Sequence, residues 1–544
     1  MAPGFFQPEG QIDVPNTDLL SWMFDKPIYD LEKIIFVSAN DTSRTLTGVK
    51  CREIIRKIAK GLKDAGLKRG DTLLLHSFND INYPLIVLGT IAAGGVWTGS
   101  NPSYTTSELA HHIRASSARF IVVEPEILST IRAAGDACGI PAANYWVFDN
   151  LPQQGVPAGY KSWKDLLTRG ETDWVRFHGA EAARDTTAMR LFSSGTTGLP
   201  KAANLSHRNF VAQHTVVQDY KPRSYEPTYC LALPMFHAAC VPAAHITPLR
   251  GGGRTTILRR FDMALYLRTC ELFYVTEQTV VPPIILAFVM SPLVKRACFA
   301  SARAAASGAA PLGLDLQRRY SELLPPNATT TQVWGMTETS CIATRFWAGE
   351  HDETGSVGYL VPGVEAKLVD EDGTEIREYN KPGEMWVRGR TVFQGYYQND
   401  AANKESFDHE GYYKTGDIMY CDGKTKKWYI VDRKKELIKV RGFQVVPPEL
   451  EGVLLQHPGI IDAAVIGITT PAGEELPRAY VVKRPGTELT EKEVYDWAAE
   501  KLAKYKRLDG GVVFLEAVPK NASGKILKKA LRELAARDHV KAKL

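Results

Sequence analysis

The chain has 544 residues, 44% of them hydrophobic and 23% charged, with a formal net charge of +5. That length exceeds what one hydrophobic core covers and predicts two or more domains of ordinary globular composition. The small charge, with no basic run interleaved with aromatics, speaks against nucleic acid as a partner. Eight scattered cysteines form no Cys-x-x-Cys pair, which argues against a zinc site and for a reducing compartment. The most apolar run, residues 280–290, contains Pro282 and Pro283 and is too short to span a bilayer, so no transmembrane segment is expected. The first ten residues carry no secretion signal.

In chain order, residues 49–67 place Ile54, Ile55, Ile58 and Leu62 at helical spacing, and residues 71–75 switch to a short apolar strand. A helix over 83–93, a capped helix carrying Leu109 and Ile113, and a strand over 120–123 come next. Such alternation predicts parallel sheet covered by helices.

Residues 191–209 hold the first chemically loaded stretch. Ser193, Ser194, Thr196 and Thr197 supply hydroxyls, Gly195 and Gly198 let the backbone amides converge, and Lys201 adds a mobile cation. That is the composition of a phosphate cradle. It is not a Walker loop: two residues rather than four separate the glycines, and Ala202 follows the lysine where a Ser or Thr would be needed.

Further on, a strand from 229 leads into Phe236-His237-Ala238, which puts His237 where a strand opens into a loop. Residues 279–290 read as a buried helix and 304–311 as a tight small-residue turn. Trp334-Gly335-Met336-Thr337-Glu338 could stack a base, touch a phosphate and hold magnesium. Residues 411–417 read as a hairpin-like turn whose Asp417 could accept two ribose hydroxyls. The charged run Asp432-Arg433-Lys434-Lys435-Glu436 suits a solvated linker, with small α+β alternation after it. Ser523-Gly524-Lys525 presents lysine in a loop before the last helix.

In order and spacing these motifs resemble the adenylate-forming acyl-CoA synthetases, including 4-coumarate-CoA ligases and beetle luciferases, over nearly the whole chain. The resemblance implies an α/β fold: a large N-terminal AMP-binding domain of several subdomains (1–433), with parallel sheets and helices, and a small mobile α+β lid (434–544). It implies that the loop from Ser193 to Lys201 holds the β- and γ-phosphates of ATP, that Ala309, Ala310 and Trp334 line adenine, and that Asp417 and Arg433 bind ribose. Thr337 would touch the α-phosphate and Glu338 would hold Mg2+; Lys435 would be the pivot of the lid. Lys525 would catalyse the first half-reaction, while Lys439 and Gly442 would face the site in the second, with CoA. His237 would stand beside the acyl pocket, lined from 237–241, 282–285, 307–308 and 333–342.

A carboxylate is a poor electrophile, so attack on the α-phosphorus of ATP gives acyl-adenylate and pyrophosphate; a lysine and magnesium offset the gathering negative charge. In amino-acid-activating members of the resembled family an aspartate near 235–240 binds the α-amine; Phe236-His237-Ala238 offers none, so the resemblance implies a hydrophobic carboxylic acid without an α-amine, aromatic or aliphatic. Two departures stand out. Val333-Trp334-Gly335 replaces the usual Gly-Tyr-Gly, and Val440-Arg441 replaces the usual aromatic and Lys.

Other functions on the same fold are a luciferase-like oxygenase, loading of a carrier protein, and a non-catalytic nucleotide sensor. A sensor would be expected to lose Lys525 or Glu338, and both are present. The chain closes on Ala542-Lys543-Leu544, similar to the Ser-Lys-Leu peroxisomal address, so a peroxisomal location and its import receptor are expected.

Overall fold

The fold is described from a computed structural model, which covers residues 5–541 apart from 9, 194–198, 435, 441–442, 471–474 and 522–523. Two compact units divide the chain. One comprises Met1–Gly308, Leu314–Ala366 and Val387–Tyr413; the other comprises Ala309–Gly313, Lys367–Trp386 and Lys414–Leu544.

The first unit holds two seven-stranded sheets. One runs in the order Lys161–Ser162, Tyr145–Val147, Ala118–Val123, Thr72–His76, Val96–Ser100, Thr187–Ser193, Lys201–Ser206. All neighbours are parallel except the last pair, an antiparallel hairpin. Its strands are nearly continuous apolar runs such as Thr72–His76, buried along its whole length, as expected where helices cover both faces. The helix Gly48–Asp64 buries Ile54, Ile55, Ile58 and Leu62, the stripe its spacing predicts. The helix Thr106–Ser116 starts in a reciprocal capping box between Thr105 and Glu108, which satisfies two amides that its first turn leaves open.

The second sheet runs Thr329–Gln332, Ala304–Ser307, Glu277–Val280, Thr228–Leu231, Arg254–Ile257, Ile34–Ser38, Thr45–Thr47, again parallel except at its last pair. Its first four strands lie side by side in register, Ser307 opposite both Val280 and Gln332. Their carboxyl ends therefore open along one edge.

Two expectations need correcting here. Residues 304–307 form a strand, and the chain turns only after Ser307. Residues 279–290 are not one buried helix: a strand ends at Val280, and the helix Pro282–Met290 starts on two prolines and buries only Ile285 and Phe288. A continuous apolar run does not by itself distinguish strand from helix.

In the second unit, Tyr413–Cys421 and Trp428–Arg433 pair antiparallel, with Asp417 opposite Arg433. Residues 413–417 are thus strand rather than turn; alternate residues of Tyr413–Cys421 are buried, and Asp417 is on the inner side. The second strand of the pair also runs on through Asp432 and Arg433, where the charge run suggested solvated linker.

Beyond it, a three-stranded sheet of Ile460–Thr469, Glu475–Lys483 and Val512–Phe514 is covered on both faces. Ala463, Val465 and Val481 pack with Leu450, Leu454 and Val494 of two helices. Ala464, Ile466 and Tyr480 pack with Leu531 and Ala535 of the last helix, Lys528–Lys541.

Candidate active site

The edge of the second sheet collects the segments proposed to line an acyl pocket. Residues 237–241 follow the strand ending at Leu231, 282–285 follow Val280, Gly308 follows Ser307, and Val333 follows Gln332. In open parallel sheets ligands bind outside the carboxyl ends of strands, and here four adjacent ends contribute. A Cβ built on Gly308 would lie 2.9 Å from Val333 Cγ2, so the Val333 side chain already occupies the space over this glycine.

His237 sits half-buried in the turn after its strand, and its Nδ1 accepts the Ala239 N–H at 3.2 Å. In the neutral ring the proton then belongs on Nε2. Cys341 Sγ reaches the Ala239 carbonyl at 3.5 Å, which ties this turn to the loop that contains Glu338.

That loop is held closed by steric necessity. A Cβ on Gly335 would lie 1.5 Å from the Cys341 carbonyl oxygen, so only glycine lets the chain fold back there. Trp334, 5% exposed, is bridged to Thr344 on one side. The short turn Thr337–Thr339 comes next, capped by the Met336 N–H donating to Thr339 Oγ1 at 3.0 Å, with Thr337 half-buried.

Glu338 is 1% exposed. Its Oε1 accepts the Tyr396 hydroxyl at 2.8 Å, and that hydroxyl lies 3.2 Å from the Tyr413 hydroxyl. Oε2 is buried, and among the described residues it has no hydrogen-bond partner and Glu338 makes no ion pair. A buried carboxylate oxygen left open is costly unless something else comes to it. An oxygen ligand of this kind suits a hard divalent cation, so the donor fits the Mg2+ that the sequence implies. Burial first, and then the neighbouring Glu338 charge, push the Tyr396 phenol far above its ordinary range, so it stays a donor.

Tyr396 reaches this place beside the hairpin of Thr187–Ser193 and Lys201–Ser206. The strand Lys201–Ser206 is flanked by Gly395–Tyr397: Asn204 N–H donates to Gly395 O at 2.9 Å, and Tyr397 N–H donates to Ala202 O at 2.8 Å. Gly395 has φ +119°, and a Cβ there would lie 2.8 Å from Asn403 Oδ1, the atom that accepts the Tyr396 N–H. Lys201, paired across the hairpin with Ser193, holds its Nζ 5.0 Å from the Tyr396 ring centroid. Lys201 and Glu338 thus meet one tyrosine, the lysine over its ring and the carboxylate at its hydroxyl.

Ser194, Gly195, Thr196, Thr197 and Gly198 lie outside the described residues, as do Lys435 and Gly442.

In the second unit, Asp417 is 5% exposed, with Arg433 Nε 3.2 Å from its Oδ1. Nearby Thr415 fixes the strand by donating to Met385 O at 2.6 Å and accepting the Asp417 N–H at 3.1 Å. Ala309 is exposed with φ +69°, a left-handed conformation uncommon for alanine, and Ala310 is half-buried. Lys439 is exposed, its N–H donating to Glu475 Oε2 at 2.7 Å. Lys525 is half-buried in a loop closed on Asn521: its N–H donates to Asn521 Oδ1 and its carbonyl accepts the Asn521 N–H, both at 2.9 Å.

Of the residues singled out from sequence, the structure brings Lys201 and Glu338 together around Tyr396, and Asp417 with Arg433. Tyr396 and Tyr413 were not singled out. Only the Gly-Tyr-Tyr at 395–397 hinted at a special position, and its meaning depends on the hairpin it lies against.

Comparison with known proteins agrees with this geometry. Residues 28–397 match the AMP-binding enzyme family and 449–525 match the AMP-binding enzyme C-terminal domain. Phenylacetyl-CoA ligase epaB of Aspergillus niger is 49% identical over 534 residues, 97% of this chain and 99% of that protein. Acyl-CoA ligase azaF, also of Aspergillus niger, is 49% identical over 531 residues, 97% of this chain and 100% of that protein. The crystal structure of ATP-bound MatB from Rhodopseudomonas palustris superposes with a TM-score of 0.84 at 28% identity, covering 95% of this chain and 98% of that one. With strand ends, hairpin and open carboxylate in place, and both family segments matched in order, the chain belongs to the AMP-binding enzyme family.

Proposed function

We propose that this chain is an AMP-forming carboxylic acid–CoA ligase that acts on a hydrophobic or aromatic acid lacking an α-amine. ATP-dependent acyl-CoA ligation is the activity of the family members it resembles throughout its length. The observation that carries the reading is the buried, unpartnered Glu338 Oε2 beside the phenol that Lys201 overlies.

The reaction has two halves. The acid carboxylate attacks the α-phosphorus of ATP and pyrophosphate leaves; the CoA thiolate then attacks the acyl carbon and AMP leaves. In the first, Lys201 and the loop 193–198 hold the phosphates that depart. Lys525 stands between carboxylate and α-phosphate, and Thr337 donates to the α-phosphate. Glu338 holds Mg2+, which when bound supplies charge neutralisation to the phosphates. Tyr396 keeps one Glu338 oxygen occupied so that the other faces its ligand. Asp417, held by Arg433, takes the ribose hydroxyls, and Ala309, Ala310 and Trp334 bound the adenine.

For the second half, residues 434–544 turn about Lys435, and Lys439 and Gly442 take the place of Lys525 toward CoA. The acyl group lies along the four strand ends beside His237, with Val333 closing the far end over Gly308. The name of the relative epaB supports an arylacetic acid among the candidates. Where Leu544 is the carboxyl terminus, Ala542-Lys543-Leu544, which lies outside the described residues, serves as a peroxisomal address. Deleting these three residues is expected to leave a tagged chain in the cytosol; peroxisomal retention would reject the address.

The test of function is a panel of phenylacetate, 4-coumarate, hexanoate and phenylalanine assayed for CoA-dependent AMP release. Turnover of one or more of the first three, with none of phenylalanine, is expected. AMP release without acyl-CoA formation for every acid would reject the ligase reading.

A further inference from the structure

Two carboxylates of the second unit flank one buried ammonium to which the proposed reaction gives no part, and a third, Asp432, feels its charge. Lys528 opens the last helix and is 8% exposed; its Nζ lies 3.1 Å from Glu436 Oε2 and 4.0 Å from Glu451 Oε1. Asp432, 5% exposed, accepts the Arg433 N–H on Oδ1 at 2.7 Å, while its Oδ2 is buried without a hydrogen-bond partner among the described residues.

The three acids are not equivalent. Burial drives Asp432 up to about 7 against the pull of Lys528, helped by repulsion from Glu436 and Glu451. Burial also raises Glu451, with Lys528 and the Val465 N–H opposing and Glu436 and Asp462 adding to the rise. Burial works in the same direction on Glu436, yet Lys528, Arg433 and Lys525 outweigh it and its carboxyl is lowered. Glu436 is therefore the ionised partner of Lys528.

The positions of this pair in the chain matter more than its strength. Lys528 comes three residues after Lys525, a reach of about 10 Å at most. Glu436 comes one residue after Lys435, and Asp432 three residues before it. The Lys525 loop is also tied within its own neighbourhood, by Asn521, by the bridge between Lys520 and Ile526, and by Lys520 Nζ on Asp462 Oδ2 at 2.6 Å.

We propose that Lys528 is a positioning residue for the first half-reaction: its buried ion pair with Glu436 fixes the loop that presents Lys525 to the segment leaving the pivot. This inference rests on the reading of Lys525 as the lysine of adenylate formation.

The test separates the half-reactions in the full-length chain. Acid-dependent exchange of pyrophosphate into ATP reads the first, and acyl-CoA formation from synthetic phenylacetyl-adenylate reads the second. Lys528→Met is expected to lower exchange about 100-fold, as misplacement by an ångström can, and to leave the second within about threefold. Lys528→Arg should restore exchange.

Removing Lys528 alone strands buried carboxylates, so Lys528→Met combined with Glu436→Gln is assayed beside it and should show the same selective loss. Exchange retained within about threefold in both variants overturns the proposal, as does parallel loss of both half-reactions in both. Lys525→Ala separates the two claims. If it keeps exchange, the reading of Lys525 fails; if it loses exchange while the Lys528 variants keep theirs, only this inference fails.

Discussion

Two buried carboxylates, one in each unit, each keep one oxygen without a hydrogen-bond partner among the described residues, and their surroundings differ. Glu338 has a phenol for company and no ion pair among the described residues. Asp432 sits in a cluster where Glu436 and Glu451 compete for one lysine, and burial lifts its carboxyl to about 7. The first environment suits the cation proposed to arrive with the nucleotide. The second is complete in itself and holds its excess negative charge down by keeping a proton.

Lys525→Ala should have the largest effect, lowering adenylate formation by about 10²–10³, the range for loss of a preorganised electrostatic group; pyrophosphate exchange measures it. Glu338→Gln should cost about 10² in the same exchange. It should also raise the Mg2+ concentration needed for half-maximal ATP binding, read by calorimetry without turnover. A variant with unchanged Mg2+ dependence would remove Glu338 from the metal.

Tyr396→Phe should be milder, about 1.5 kcal/mol or roughly tenfold in exchange, since it deletes one hydrogen bond to a charged acceptor and leaves the ring under Lys201. Val333→Gly should shift relative activity toward bulkier acids without changing pyrophosphate exchange for the best small one. An unchanged specificity profile would reject Val333 as the limit of the pocket.

Asp432→Asn gives the smallest effect, visible in stability. A carboxyl raised in the folded state binds its proton more tightly there than when unfolded, so wild-type stability falls as pH rises from about 4 to 7. The variant should melt higher than wild type at pH 8, with the gap closing toward pH 4. Equal melting at both pH values would contradict the raised carboxyl.

Much of this was legible in the sequence. Helical spacing marked the buried stripe of Gly48–Asp64, and the capped helix expected around Leu109 and Ile113 starts in a reciprocal box of Thr105 and Glu108. The motifs around Lys201, Glu338, Asp417 and Lys525 were visible because phosphate and metal chemistry require particular residue types close together in the chain. What escaped were residues whose role depends on contacts between distant segments. Tyr396 meets Glu338 across 58 residues of chain. Glu436 read as one charge of a solvated run until the fold set it against Lys528.

The turn expected at Asp417 failed for a related reason. Gly411 and Gly416 suggested a bend, but Gly416 keeps its positive φ of +73° within a strand that pairs with Trp428–Arg433.

The central claim is that this chain activates an acid by adenylation before CoA takes part. Exchange of labelled pyrophosphate into ATP, measured with phenylacetate or the best acid of the panel and without CoA, tests it most directly. Acid-dependent exchange in the wild type and its loss in Lys525→Ala is the predicted result. Exchange that requires CoA, or that persists undiminished in Lys525→Ala, would contradict it.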